Sequence, residues 1–99
     1  MLNVPLPPGI DDEQYLGALE GALGKAKEFR PELVAISAGF DTFFRSPIAN
    51  FAIEKSKTYF EIGKMIQKTF ACPKFACLEG GYYLPKLGEN VYNFLKAFE

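Results

Sequence analysis

The chain is 99 residues long, 48% hydrophobic and 15% aromatic, with 11 Lys and Arg against 12 Asp and Glu and no histidine. That length admits one small domain and excludes two, since domains usually run about 100 to 150 residues. The charge balance lacks the basic surplus on which nucleic-acid binding depends, and the missing imidazole removes the commonest general base, nitrogen metal ligand and pH switch.

Leu2 to Ile10 carries Pro5, Pro7, Pro8 and Gly9, which bar a helix and predict an extended, turning lead-in at the surface. Met1 to Pro5 has neither the basic segment nor the apolar run of a secretion signal, and no apolar stretch approaches the roughly 20 residues of a membrane span. The expectation is a cytoplasmic chain with no membrane partner.

Asp11 and Asp12 offer a helix N-cap, with Glu13 in the first turn and Lys25, Lys27 and Arg30 at the far end, where the helix dipole favours them. The spacing predicts a first helix from about Asp12 to Phe29, with Tyr15, Leu16, Leu19, Ala22, Leu23 and Ala26 on one face. Gly17, Gly21 and Gly24 gather on the other side. Each costs about 0.8 to 1 kcal/mol of helix propensity relative to alanine, so they weaken the helix, or else admit a closely packed partner helix.

Arg30-Pro31 breaks that helix, and Leu33 to Ser37 is a continuous apolar run of strand length. Such runs predict burial on both faces, as in parallel sheets. Ala38-Gly39-Phe40-Asp41 then opens a loop that runs through Pro47. Tyr59, Ile62, Gly63, Ile66 and Phe70 share one side of a second helix, opposite Glu54, Lys57, Glu61, Lys64 and Lys68. Beyond Pro73, Lys74 to Leu78 repeats the buried-strand pattern and stops at Gly80-Gly81. A last helix carries Leu84, Leu87, Val91, Phe94, Leu95 and Phe98 on one face.

The order helix, strand, helix, strand, helix predicts an α/β fold with two parallel strands joined by a right-handed crossover. Sheets usually hold about 4 to 6 strands, so the sequence reads as one side of a larger parallel sheet. Cys72 and Cys77 are too far apart along a strand to bridge, since disulfide-linked Cα atoms lie about 4.4 to 6.8 Å apart. They read as reduced, small, buried groups.

In open α/β sheets ligands bind beyond the carboxyl ends of the strands, which points to Gly39-Phe40-Asp41 and to Glu79-Gly80-Gly81-Tyr82-Tyr83. A carboxylate is a hard oxygen ligand for zinc, and a phenol can donate to a developing oxyanion. By spacing alone, Asp41 is equally a turn or cap residue and Gly80-Gly81-Tyr82 an ordinary turn. Neither loop has the glycine pattern of a nucleotide site. Ala35-Ile36-Ser37-Ala38-Gly39 lacks the first glycine of a hydrolase nucleophile elbow, and no histidine is present to serve it.

Asn3-Val4-Pro5-Leu6-Pro7-Pro8-Gly9, Ile36-Ser37-Ala38-Gly39-Phe40-Asp41 and Leu78-Glu79-Gly80-Gly81-Tyr82, in this order, resemble the C-terminal third of the histone deacetylase family. That family includes acetoin-utilisation proteins and acetylpolyamine amidohydrolases. The resemblance implies an arginase-like parallel sheet of which residues 1–99 form a single, partial, C-terminal portion. It implies zinc-dependent hydrolysis of acetylated amines such as acetyl-lysine or acetylpolyamine. By the same resemblance Asp41 matches a zinc-ligating aspartate, Tyr82 the tyrosine that polarises the acetyl carbonyl, and Gly80 and Gly81 the flexible glycines beside it, with Gly39 supporting the first loop.

The family's Asp-x-His zinc motif and histidine pair have no counterpart in a chain without histidine. Where the family continues Ala-His and Gly-Asp-Pro-Leu-Gly after the aspartate, this chain reads Thr42-Phe43-Phe44-Arg45-Ser46-Pro47-Ile48-Ala49. The expectation is therefore a deacetylase portion that is inactive alone and does not hold zinc tightly by itself. Its expected partner is another copy of the chain or the N-terminal half of a deacetylase, which makes it either a self-associating, non-catalytic module or a complementing subunit.

Overall fold

A computed structural model of the chain describes residues 1–45 and 51–99; the expected loop end at Pro47 lies outside them. The Asp11 carboxylate accepts from the Gln14 amide at 2.9 Å and the Gln14 side chain accepts from the Asp11 amide at 3.0 Å. This reciprocal capping box satisfies two amides that a helix start leaves unpaired. It launches α1 (Asp12–Glu28), which Phe29 caps and after which Arg30 takes a left-handed φ of 54°. No residue of α1 is fully buried, and a Cβ at Gly17, Gly21 or Gly24 would meet nothing within 4 Å. Among the described residues no helix packs against these glycines.

The strands are β1 (Val34–Ala38), one residue later than the apolar run predicts, and β2 (Lys74–Leu78), as expected. They pair in parallel, with Val34 opposite Lys74 and Ala38 opposite Leu78, and form a two-stranded sheet. Val34, Ile36 and Ala38 pack against the core, while Ala35 and Ser37 are exposed. On β2, Phe75 is 51% and Leu78 60% exposed. The expected burial on both faces is thus not met among the described residues. Tyr15 and Leu23 of α1 join the helical core that covers β1 from one side, and an apolar run by itself does not supply a second covering layer. Cys77, in register with Ser37, is exposed and Cys72 is half-buried. The expectation of two buried thiols fails for the same reason.

The second helix, α2 (Lys57–Thr69), begins at Ser56, whose side chain makes no capping bond. The cap comes from α1: the Asp12 carboxylate accepts from the amides of Glu54 at 3.0 Å and Lys55 at 3.1 Å and from the Thr58 hydroxyl at 2.6 Å. Glu54, expected on the polar side of the helix, precedes it. Thr58, Tyr59, Gly63 and Ile66 are buried. The last helix, α3 (Leu84–Lys96), carries Pro in its first turn, where the missing amide is harmless. It crosses α2 closely at Gly63, where a Cβ would lie 2.6 Å from the Ala97 Cβ and 2.7 Å from the Phe94 carbonyl oxygen. Phe94 is buried, but Leu84 and Leu95, expected on the inward face, are 74% and 55% exposed; the apolar stripe of α3 is wider than its contact with α2.

Phe40, Phe43, Ile53, Tyr59, Ile66, Phe70 and Phe94 form the buried core. No helix among the described residues is long and apolar enough to cross a membrane.

Candidate functional site

Both post-strand loops leave the same end of the sheet, because β1 and β2 run parallel. The ladder continues into them: the Glu79 amide donates to the Ala38 carbonyl at 2.9 Å and the Phe40 amide to the Gly80 carbonyl at 2.8 Å. This seats Asp41 beside the second loop. A Cβ on Gly39 would come 2.9 Å from the Asp41 Oδ1, and one on Gly80 would come 2.9 Å from its Cγ and Oδ2. Glycine at both positions lets the carboxylate lie directly against backbone. Gly81 adopts a φ of +147°, and a Cβ there would meet the Leu87 Cδ1 at 2.6 Å and the Phe40 Cβ at 3.2 Å. Gly39, Asp41, Gly80 and Gly81, named from the sequence on separate loops, therefore converge.

The adjacent tyrosines divide. Tyr83 stacks on Phe43, with ring centroids 6.0 Å apart, and packs against the core, whereas Tyr82 is 52% exposed. Among the described residues the Asp41 carboxylate accepts no hydrogen bond. Its orientation is left to the glycine backbones and to the residues on either side of it.

A cavity of about 180 Å³ has a lining that includes Tyr15, Ser37, Gly39, Thr42 and Tyr59 but not Asp41 itself. The Thr42 and Tyr59 hydroxyls share a hydrogen bond of 2.9 Å. Burial raises the Tyr59 phenol above its ordinary value; the Thr42 hydrogen bond opposes this, and the neighbouring Tyr15, Asp41 and Asp12 add to the rise. Burial and then the Asp41 charge raise Tyr15 as well. The sequence placed both tyrosines on apolar helical faces as core. The remaining signal was a phenol on such a face, whose hydroxyl needs a partner once buried. The larger hollow, about 1000 Å³, runs along β1 past Leu23, Phe29, Leu33 and Phe70 and is lined by no acid and no tyrosine.

A catalytic zinc site takes three protein ligands and keeps an open position. Asp41 offers one carboxylate, the chain has no histidine, and no group of three or more His, Cys, Asp or Glu comes together among the described residues. The donor set present here does not fit zinc on its own.

The histone deacetylase domain family matches residues 1–98. Acetylpolyamine amidohydrolase 2 of Pseudomonas aeruginosa is 33% identical over 97 residues, covering 98% of this chain and 28% of that protein. A probable deacetylase of Archaeoglobus fulgidus is 37% identical over 86 residues, covering 82% of this chain and 24% of its own. The chain thus spans about a quarter of the length of these relatives. The crystal structure of an acetylpolyamine aminohydrolase from Burkholderia pseudomallei superposes with a TM-score of 0.85 at 24% identity, over 98% of this chain and 28% of that one. That likeness bears on the fold, and it matches the parallel strands and helices described above. By the match across nearly its whole length, the chain belongs to the histone deacetylase family.

Proposed function

We propose that these residues form the carbonyl-polarising corner of a zinc-dependent amide hydrolase acting on acetylated amines, and that they are inactive by themselves. The observation that carries this reading is the seating of Asp41 against Gly80, two residues before Tyr82, at the carboxyl end of both strands. The names of the relatives, acetylpolyamine amidohydrolase and deacetylase, supply the substrate class. In the hydrolysis water adds to the amide carbonyl carbon, the C–N bond breaks, and acetate and the free amine leave. Tyr82 donates its hydroxyl proton in a hydrogen bond to the carbonyl oxygen as negative charge grows there, an interaction stronger in the transition state than in the ground state. Asp41 would supply one carboxylate to a zinc ion, which when bound would activate the attacking water; the chain has no histidine, so further ligands and a base would have to come from a complementing chain.

The test is complementation. The chain, supplied with zinc and an acetyl-lysine or acetylpolyamine substrate, is expected to show no turnover. Mixed with the part of the Pseudomonas aeruginosa relative that precedes the matched region, it is expected to gain activity that Tyr82→Phe abolishes. A mixture that stays inert, or whose activity is indifferent to Tyr82→Phe, overturns the reading. The exposure of Phe75 and Leu78 on β2 favours a second reading, a self-associating module without catalysis; a monomer mass by light scattering at high concentration would remove it.

A further inference from the structure

We infer that Tyr59 is a positioning residue for Asp41, gripping both of the residues that flank the carboxylate. The inference rests on the assignment of Asp41 to the site proposed above. On one side Phe40, 4% exposed, packs its ring against that of Tyr59, with centroids 5.0 Å apart. On the other side the Thr42 hydroxyl is hydrogen-bonded to the Tyr59 hydroxyl at 2.9 Å. Asp41 is thus strung between two residues that one side chain of α2 touches, by a tilted ring contact before it and by hydroxyl after it.

Tyr59 suits this task because it is itself held. It is 2% exposed, it sits in the first turns of α2, and the Asp12 carboxylate caps that end of the helix through Glu54, Lys55 and Thr58. Thr42 is held as well: its carbonyl accepts from the Ile53 amide at 3.3 Å, and β-branching restricts its χ1. Phe40 is tied to the second loop through the Gly80 carbonyl at 2.8 Å. The carboxylate accepts no hydrogen bond among the described residues, so the flanking grip and the glycine backbones are what select its rotamer. Tyr59 acts through Phe40 and Thr42 and plays no part in the chemistry itself.

The test reads the Asp41 side chain directly. In the ¹³C,¹⁵N-labelled chain, the three-bond couplings from the Asp41 Cγ to its backbone nitrogen and carbonyl carbon report χ1. A single rotamer is expected in the wild type and in Thr42→Ser, which keeps the hydroxyl. Tyr59→Phe and Thr42→Val each keep the packed shape and lose the hydroxyl pair; both are expected to give couplings averaged over rotamers, and the double variant no more averaging than either. Amide shifts across α3 should stay in place. Averaging in the wild type, a single rotamer in both hydroxyl-deleted variants, or loosening that spreads equally into α3 would overturn the inference. If Tyr59→Phe does not fold, Thr42→Val with its Thr42→Ser rescue carries the test. The measurement needs neither metal nor substrate, so its failure is separate from a failure of the complementation assay.

Discussion

The Asp41 carboxylate lies against the backbone of Gly80 so closely that a Cβ there would stand 2.9 Å from both Cγ and Oδ2. This contact joins the two loops the sequence offers as chemical, and it leaves no room for a side chain at residue 80 while Asp41 keeps its place. The backbone hydrogen bond from Phe40 to Gly80, 2.8 Å long, holds the approach in register.

Gly80→Ala is expected to leave the fold intact and to turn the Asp41 side chain away, at about 1 to 3 kcal/mol, the usual cost of overpacking a tight contact. Gly81→Ala should cost more, because its φ of +147° is strained for an L side chain and its Cβ would strike the Leu87 Cδ1 at 2.6 Å. Urea unfolding measures both, and amide shifts of residues 39–42 report the displacement. Unchanged shifts in Gly80→Ala would show that Asp41 is not pressed against that backbone.

Gly63→Ala tests the seam between α2 and α3. Alanine adds about 1 kcal/mol of helix propensity, so an open position would become more stable. Here the new Cβ would meet the Phe94 carbonyl oxygen at 2.7 Å and the Ala97 Cβ at 2.6 Å. The expected outcome is net destabilisation of about 1 to 3 kcal/mol, read as a lower urea midpoint with an unchanged slope.

Asp12 ties α1 to the start of α2. Burial alone would raise its carboxyl, but hydrogen bonds from the Glu54 amide, the Thr58 hydroxyl and the Lys55 amide outweigh this and hold it below its ordinary value of 3.8. A lowered folded value means that its stabilising share is complete above the unfolded value and disappears as the pH falls through the folded one. Asp12→Asn should therefore lose about 1 kcal/mol near neutral pH, the usual worth of a helix cap. The difference from wild type should shrink below about pH 4. Unfolding curves of the two proteins between neutral pH and pH 3 measure it.

Zinc titrated calorimetrically into the chain should show no saturable site, because Asp41 is a single carboxylate with no cluster of further ligands among the described residues. Asp41→Ala should leave the titration unchanged. A stoichiometric site that Asp41→Ala removes would contradict the ligand count.

Much of the fold is legible in the chain. Lys74 to Leu78, bounded by Pro73 and the glycine pair, is a strand to the residue. The Asp11 cap opens α1 where expected, since capping and proline act over a few neighbouring residues. The two loops of the site are legible too, through glycines whose spacing around Asp41 and Tyr82 carries the family resemblance. What α2 does for them is not. Thr42 and Tyr59 stand 17 residues apart, and an amphipathic pattern marks Tyr59 as inward without saying which hydroxyl it meets. Asp12 likewise reads as a candidate cap of its own helix, yet its partners are 42 to 46 residues away.

Burial on the strands marks the same boundary. Apolar runs at Leu33 to Ser37 and Lys74 to Leu78 are consistent with a doubly covered sheet, but coverage depends on which elements pack there, and Phe75 and Leu78 are left exposed. By itself the sequence determined the order of elements, the class of fold and the family, because these rest on local propensity and residue identity. Only the tertiary structure decided that Asp41 rests on Gly80, that Tyr59 touches both Phe40 and Thr42 and that β2 is exposed on both faces from Phe75 to Leu78 among the described residues, because each depends on which distant segments meet.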